Sequence, residues 1–280
     1  MDRTIALLTD FGTTDTYVGV MKAVMTRIYP AVRFIDLTHE IPPQHVQQAA
    51  FTLLKTYRYF APGTIFLVVV DPGVGSERKA IAAQIDDYFF VAPDNGVLSY
   101  ILDEVVSKTV VELTNVSYQL VPVSNTFHGR DIFAPAAAHL AAGISLSEFG
   151  APVEQVAQQL NLSLNIEEKE ITGQIISADH FGNVITSIGE FHWIDDNHLE
   201  LHPRFGKPLE KPIRFAADKA TISVNDQKVT RIRRIYGEAQ AGDLMALVGS
   251  GGYLEIAINQ GNAAQFLKIT SGTPVVLQIG

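Results

Sequence analysis

Four short apolar runs early in the chain each stop at or just before an aspartate, and that recurrence constrains the fold more than any other feature. Residues 5–8 lead into Thr9-Asp10-Phe11-Gly12 and residues 32–35 into Asp36-Leu37-Thr38-His39. Residues 65–70 lead into Asp71-Pro72-Gly73-Val74-Gly75, and residues 89–92 into Pro93-Asp94-Asn95-Gly96. The run 65–70 is too short for a globular helix and rich in β-branched side chains, so it reads as a buried strand. Between the runs the periodicity changes. Val18, Met21, Val24, Met25 and Ile28 recur at helical spacing over residues 16–29, and Pro30 ends the pattern. Val46, Ala49, Ala50, Leu53 and Leu54 do the same over residues 44–59. The order β-α-β-α-β predicts a mainly parallel sheet with right-handed crossovers.

In such a sheet, ligands bind beyond the carboxyl ends of the strands. Four carboxylates gathered there repel one another unless cationic or polar groups sit among them. That edge is the candidate site, and Arg78 follows Asp71 closely. Taken alone, Asp-Pro-Gly is also ordinary turn chemistry. Further along, residues 79–86 and 88–91 read as a hairpin, 96–106 as a short helix and 109–114 as a strand. Residues 130–142 read as an Ala-rich helix ended by Gly143.

The pattern weakens between Pro152 and Glu170, and then its character changes. Short runs at 171–176, 184–188, 213–215, 222–224, 244–248, 253–258, 266–269 and 275–279 are separated by Gly, Asn and Asp, which predicts strands of a small all-β barrel or sandwich. The expectation is an α/β domain over 1–155, a linker over 156–170 and a β-barrel-like domain over 171–280, with the cleft between domains as the ligand site.

Composition narrows the chemistry. The chain of 280 residues is 47% hydrophobic, enough for a proper core. It has no cysteine, which removes disulfides and thiolate catalysis. A net charge of −9, with no basic run longer than Arg231-Ile232-Arg233-Arg234, makes nucleic acid an unexpected partner. Neither a signal-peptide pattern nor a bilayer-length apolar run is visible, so a soluble, cytoplasmic protein without membrane contact is expected.

Seven motifs in order carry a specific likeness. They are Leu8-Thr9-Asp10-Phe11-Gly12, Asp36-Leu37-Thr38-His39-Glu40-Ile41-Pro42-Pro43, Val70-Asp71-Pro72-Gly73-Val74-Gly75 and Ala92-Pro93-Asp94-Asn95-Gly96. After them come Thr126-Phe127-His128-Gly129-Arg130-Asp131, Asp179-His180-Phe181-Gly182-Asn183 and Gly249-Ser250-Gly251-Gly252-Tyr253-Leu254-Glu255-Ile256. Over nearly its whole length the chain resembles the S-adenosylmethionine hydroxide adenosyltransferases, relatives of the fluorinases and chlorinases. The resemblance implies an α/β N-terminal domain, a barrel-like C-terminal domain and a homotrimer with sites between adjacent subunits. It implies no metal and no cofactor, S-adenosylmethionine being the substrate.

The reaction the resemblance implies is attack of water or hydroxide on the 5′ carbon, releasing adenosine and methionine. A neutral thioether leaves a sulfonium without protonation, so the protein must supply a positioned, activated and partly desolvated oxygen. The family's catalytic Asp, Arg and His match Asp71, Arg78 and His128. Asp71 is expected to hold and polarise the water, Arg78 to keep that carboxylate ionised, and His128 to orient the water or relay its proton. For substrate binding, Asp10 matches the ribose acid, with Phe11 and Phe127 in apolar contact with the nucleoside. Asp179, Phe181 and Asn183 match the group that holds and stacks the ligand, and Ser250, Tyr253 and Glu255 lie in the segment that meets the methionine carboxylate. Asp36 and His39 are expected to support their loop, and Asp94 and Asn95 to lie behind the ligand contacts or in turns.

Each assignment has an ordinary alternative: Arg78 as a surface cation beside Glu77, His128 as a packing or capping residue, Asp10 as a helix cap, Asn183 in a hairpin turn and Glu255 facing solvent. Four departures also stand out. Halide-using relatives carry Tyr in place of Asp71 and Ser in place of Gly129, and a carboxylate at the nucleophile position disfavours a halide. Gly251 stands where fluorinases have an arginine near the methionine carboxylate, and Gln44 replaces an aromatic. Two other functions compete: a divalent-metal-dependent hydrolase, since clustered carboxylates suit magnesium, and a non-catalytic adenosine-binding trimer.

Overall fold

The computed structural model describes residues 3–103, 105, 107–158, 160 and 162–280. Glu104 and Val106, within the helix expected over 96–106, and the linker positions Gln159 and Asn161 lie outside the described residues. The fold is mixed α/β, and the chain divides into two compact units, Met1–Leu160 and Asn161–Gly280.

The first unit contains β1 (Thr4–Thr9), α1 (Tyr17–Ile28), β2 (Arg33–Thr38), α2 (Val46–Thr56), β3 (Ile65–Val69), β4 (Ala80–Ile85), β5 (Tyr88–Pro93), α3 (Ser99–Leu102), β6 (Lys108–Glu112) and α4 (Ala134–Ala141). Its sheet runs in the order β2-β1-β3-β5-β4-β6. The first four strands are parallel, and β4 is antiparallel to both neighbours. Every residue of β3 is buried, as befits a central parallel strand covered on both faces. One core packs β1 and β3 against Met21, Val24 and Met25 of α1 and the alanines of α4. Those alanines have little side chain to hold other elements away.

Residues 129–141 do not form a single α-helix. Gly129–Phe133 is a wide π-helical turn, and the α-helix begins only at Ala134, with Pro135 in its first turn where a missing N–H is harmless. The wide turn starts directly after His128. Because β1, β2, β3 and β5 point the same way, Asp10, Asp71 and Asp94 follow their strands on one edge of the sheet, and Asp36 sits near the end of β2.

The second unit contains β7 (Asn165–Glu167), β8 (Glu170–Ala178), β9 (Val184–Thr186), β10 (Phe191–Trp193), β11 (His198–Leu201), β12 (Ile213–Ala216), β13 (Thr221–Val224) and β14 (Gln227–Thr230). It continues with β15 (Ile232–Arg233), β16 (Leu244–Val248), β17 (Leu254–Ile258), α5 (Ala263–Leu267) and β18 (Pro274–Gln278). A nine-stranded sheet runs β14-β13-β18-β8-β9-β17-β16-β15, with β7 paired to β8. It nearly closes on itself where β14 approaches β16. Strands β10, β11 and β12 form a separate antiparallel sheet.

Two further sequence expectations are corrected, besides the single helix expected over 130–142. The stretch 266–269, expected as a strand, begins inside α5. The Asn262 side chain caps this helix by accepting from Gln265 N at 2.8 Å, and Lys268 ends it in the left-handed region. A four-residue apolar window cannot distinguish the two periods. Within the stretch expected as linker, residues 165–167 form β7, where Ile166 pairs with Ile171.

Candidate active site

Each aspartate on the sheet edge has its own partner. Asp36 is 2.7 Å from Lys22 Nζ and 3.1 Å from His39 Nε2. Burial pushes its carboxyl upward, but these partners outweigh it and hold Asp36 below the usual range. His39 Nδ1 meets Thr9 Oγ1 at 2.9 Å, and the His39 carbonyl accepts from Gly12 N at 2.8 Å. This chain of contacts fixes the loop that carries Asp10 and Phe11. Asp94 accepts from Ala157 N at 2.8 Å, and burial raises its pKa. Asn95 donates to the Val70 carbonyl at 2.8 Å and so braces the strand end that precedes Asp71.

The tightest cluster joins Asp71, Arg78 and His128. Arg78 Nε donates to both oxygens of Asp71 at 3.0 Å, and Nη2 donates to Oδ2 and also reaches His128 Nδ1 at 2.7 Å. The side chains of Arg78 and Asp71 are only 9% and 5% exposed, so the surface-cation reading of Arg78 does not hold. Phe133 lies beneath the guanidinium, 5.2 Å from its carbon to the ring centre. Burial, then the nearby positive charge of Arg78, lowers the His128 pKa below its ordinary value. Gly75 makes the approach possible. It has φ +77°, and a Cβ there would sit 2.4 Å from the Asn125 carbonyl, in the loop that leads to His128.

Asp71 and His128 line a cavity of about 560 Å³ with Asp10, Phe11, Tyr17, Gln44 and Phe127. Asp10 Oδ2 accepts from Gln44 N at 2.8 Å, held by a left-handed backbone at Gln44 with φ 67°. Asp10 Oδ1 has no such bond among the described residues. Phe11, Tyr17 and Phe127 form a mutual aromatic wall, with ring centres 5.1–5.9 Å apart. Tyr17 was not anticipated. It stands one turn before Met21, in phase with the buried stripe of α1, and that spacing is the signal that could have marked it.

The remaining candidates lie in the second unit, around a cavity of about 980 Å³. Asp179 Oδ1 accepts from Phe181 N at 2.9 Å and Asn183 N at 2.8 Å, which sets the loop. Asn183 is buried, and its Nδ2 donates to Asp179 Oδ2 at 2.9 Å and Tyr236 Oη at 3.1 Å. Phe181 is 76% exposed at the rim. Ser250 sits at the tip of the β16–β17 hairpin, and Glu255 lies on β17 with its carboxylate against Gly249, where a Cβ would collide with it at 1.8 Å. Tyr253 is buried with its ring toward Phe205 and is not among the residues lining this cavity. Tyr236 and Arg234 also line it and were not anticipated. Burial, then Glu255 and Asp179, raises the Tyr236 pKa.

Among the described residues, no group of three or more His, Cys, Asp or Glu side chains is arranged to hold a metal ion, and no helix is long and apolar enough to cross a membrane. Chemically, the Asp71–Arg78–His128 cluster offers a carboxylate acceptor, a fixed positive charge and an imidazole at the wall of a cavity of about 560 Å³.

Comparison with known proteins converges on one family. Residues 5–150 match the family profile described as SAM hydroxide adenosyltransferase N-terminal domain, and residues 173–276 match the corresponding C-terminal domain. The (R)-S-adenosyl-L-methionine hydrolase of Thermus thermophilus is 36% identical over 98% of this chain and 99% of its own. The Salinispora tropica hydrolase is 36% identical over 96% of this chain and 95% of its own. A fluorinase of an Actinoplanes species is more distant, 27% identical over 98% of this chain and 96% of its own. A crystal structure of an uncharacterized conserved protein from Thermotoga maritima superposes with a TM-score of 0.83 at 34% identity, covering 98% and 99% of the two chains.

Proposed function

Because the chain belongs to the SAM hydroxide adenosyltransferase family, we propose that it hydrolyses S-adenosylmethionine to adenosine and methionine through the Asp71–Arg78–His128 cluster. The carrying observation is the Arg78 guanidinium, which holds Asp71 by two nitrogens and reaches His128 Nδ1 at 2.7 Å.

In this reading the cavity beside Asp71 takes the reacting 5′ carbon and a water molecule. A carboxylate oxygen keeps lone pairs beyond those used by Arg78, so Asp71 accepts a proton of that water. His128, accepting from Arg78 through Nδ1, presents Nε2–H and orients the water oxygen. The oxygen attacks the 5′ carbon in line with the C–S bond, whose electron pair leaves with methionine sulfur. The water proton passes to Asp71 and then to solvent, so sulfonium plus water gives adenosine, methionine and one proton. A charge is neutralised as the bond breaks, and an apolar aromatic wall beside the water favours such a step. The Asp71 carboxylate repels halide ions, which supports water over a halide as nucleophile.

Binding follows the same reading. Asp10 Oδ1 accepts from a ribose hydroxyl, Phe11 and Phe127 contact the nucleoside, Phe181 and Asn183 stack on and read the base, and Asp179, Ser250 and Glu255 hold the amino-acid end of the ligand. The first unit is then the α/β domain that carries the chemistry, and the second a barrel-like β domain that holds the ligand. The proposal includes a cytoplasmic homotrimer acting without metal or cofactor. Its support is the family resemblance and, for the last point, a mechanism that asks for no Lewis acid.

The test is turnover of S-adenosylmethionine in ¹⁸O-labelled water, with and without chelator. Label in adenosine, lost in Asp71→Ala and indifferent to chelator, is the expected result. Adenosine binding without turnover would leave a binding module, and loss of activity with chelator would point to a metal hydrolase.

A further inference from the structure

A ligand that ends in an amino acid brings both a carboxylate and an ammonium, and the second unit's cavity has an asymmetric answer to that pair. Asp179 and Glu255 supply negative charge, and Ser250 supplies a hydroxyl. Gly251, beside Ser250 at the hairpin tip, has no side chain to contribute. Arg234 is the single lysine or arginine lining the cavity among the described residues.

Its geometry is that of a prepared donor. The guanidinium carbon lies over the Trp193 ring, 4.6 Å from its centre, a cation–π contact that holds the group in place. Nη1 donates to the Asp195 carbonyl at 2.9 Å and to Asp196 Oδ1 at 3.2 Å. Nε and Nη2 meet no protein acceptor among the described residues. The one carboxylate paired with Arg234 belongs to the fully exposed Asp196, where solvent screens it. The group is therefore held through Nη1, covered by the Trp193 ring, and left with N–H donors and most of its positive charge.

We infer that Arg234 binds the carboxylate of the methionine moiety, while Asp179 and Glu255 take the ammonium. The inference rests on the proposed substrate. It answers the question posed by Gly251: the neutralising cation comes from the segment between β15 and Tyr236, not from the hairpin tip.

Calorimetric binding to the intact protein tests it with three ligands: S-adenosylmethionine, its decarboxylated analogue and adenosine. Arg234→Gln should weaken S-adenosylmethionine roughly ten- to a hundredfold, the scale of one lost charge-assisted contact. The decarboxylated analogue and adenosine should change little. Arg234→Lys should restore part of the loss, because the charge returns without the planar fork. Equal weakening of S-adenosylmethionine and its decarboxylated analogue, or no weakening of either, would overturn the assignment. Turnover by the wild type in labelled water addresses the proposed reaction separately: binding that discriminates by carboxylate without turnover refutes the hydrolase and leaves Arg234 in place.

Discussion

Arg78 Nη2 lies 2.7 Å from His128 Nδ1, and a guanidinium has no lone pair to offer, so the imidazole nitrogen is the acceptor. His128 is therefore neutral, with its proton on Nε2. Protonating it would place two N–H donors face to face beside a fixed positive charge, which agrees with a pKa below the ordinary 6.5.

The pH dependence follows from that depressed value. A pH–rate profile should show kcat/KM flat through neutrality and falling on the acid side, with an apparent pKa below 6.5. His128→Gln should lower the plateau and remove this limb. Stability has the same sign. As pH falls past 6.5 the unfolded chain takes up the proton before the folded one, so this group's penalty starts there and is complete below the folded pKa. A limb centred above 6.5 would contradict the Arg78–His128 contact.

The Asp71–Arg78 pair should show strong coupling. Both side chains are almost wholly buried, so removing one partner strands the other. Asp71→Ala should cost about 3–5 kcal/mol of stability and abolish measurable turnover. The double variant Asp71→Ala/Arg78→Met should recover part of the stability and none of the activity. Thermal or denaturant unfolding of the four proteins in the cycle measures the coupling.

Gly75 is predicted to matter for geometry more than for contact with substrate. A methyl group there would stand 2.4 Å from the Asn125 carbonyl, and the positive φ penalises any side chain. Gly75→Ala should destabilise the protein by about 1–3 kcal/mol. By pushing the loop of His128 away from Asp71 and Arg78, it should lower kcat further than KM rises. Steady-state kinetics at a temperature where the variant stays folded separates the two effects.

These contacts explain what was legible in the sequence. The strands ending near Asp10, Asp36, Asp71 and Asp94 could be read because apolar runs and turn residues are local signals. That each acid would have its own partner, such as Lys22 for Asp36 or Ala157 N for Asp94, depends on chain crossings that no local pattern encodes. Arg78 reads as a surface charge beside Glu77 until the turn after β3 folds it back over Asp71. Phe266 and Leu267 look like strand residues until the Asn262 cap is considered. Tyr236 and Arg234 sit in a segment with no periodicity, and distant residues, Asn183 and Trp193, set their orientations.

The junction of Asn183 with Tyr236 yields the last prediction. Nδ2 of Asn183 spends its donors on Asp179 Oδ2 at 2.9 Å and Tyr236 Oη at 3.1 Å, so the free polar atom of the amide is its carbonyl oxygen. That oxygen can accept from an exocyclic amine such as the one on adenine, and it cannot donate. Asn183→Asp keeps the shape but replaces the NH₂ with an oxygen, setting two carboxylates side by side at a buried position. One of them must then take up a proton as the price of folding. Adenosine affinity, read by calorimetry, should fall at least about tenfold at neutral pH, consistent with a lost buried hydrogen-bond network of about 1.5–3 kcal/mol. Lowering the pH, which supplies that proton, should recover part of the loss. Inosine carries a carbonyl where adenosine carries the amine and should bind the wild type more weakly. Equal affinity for the two nucleosides would mean that the Asn183 oxygen does not read the base.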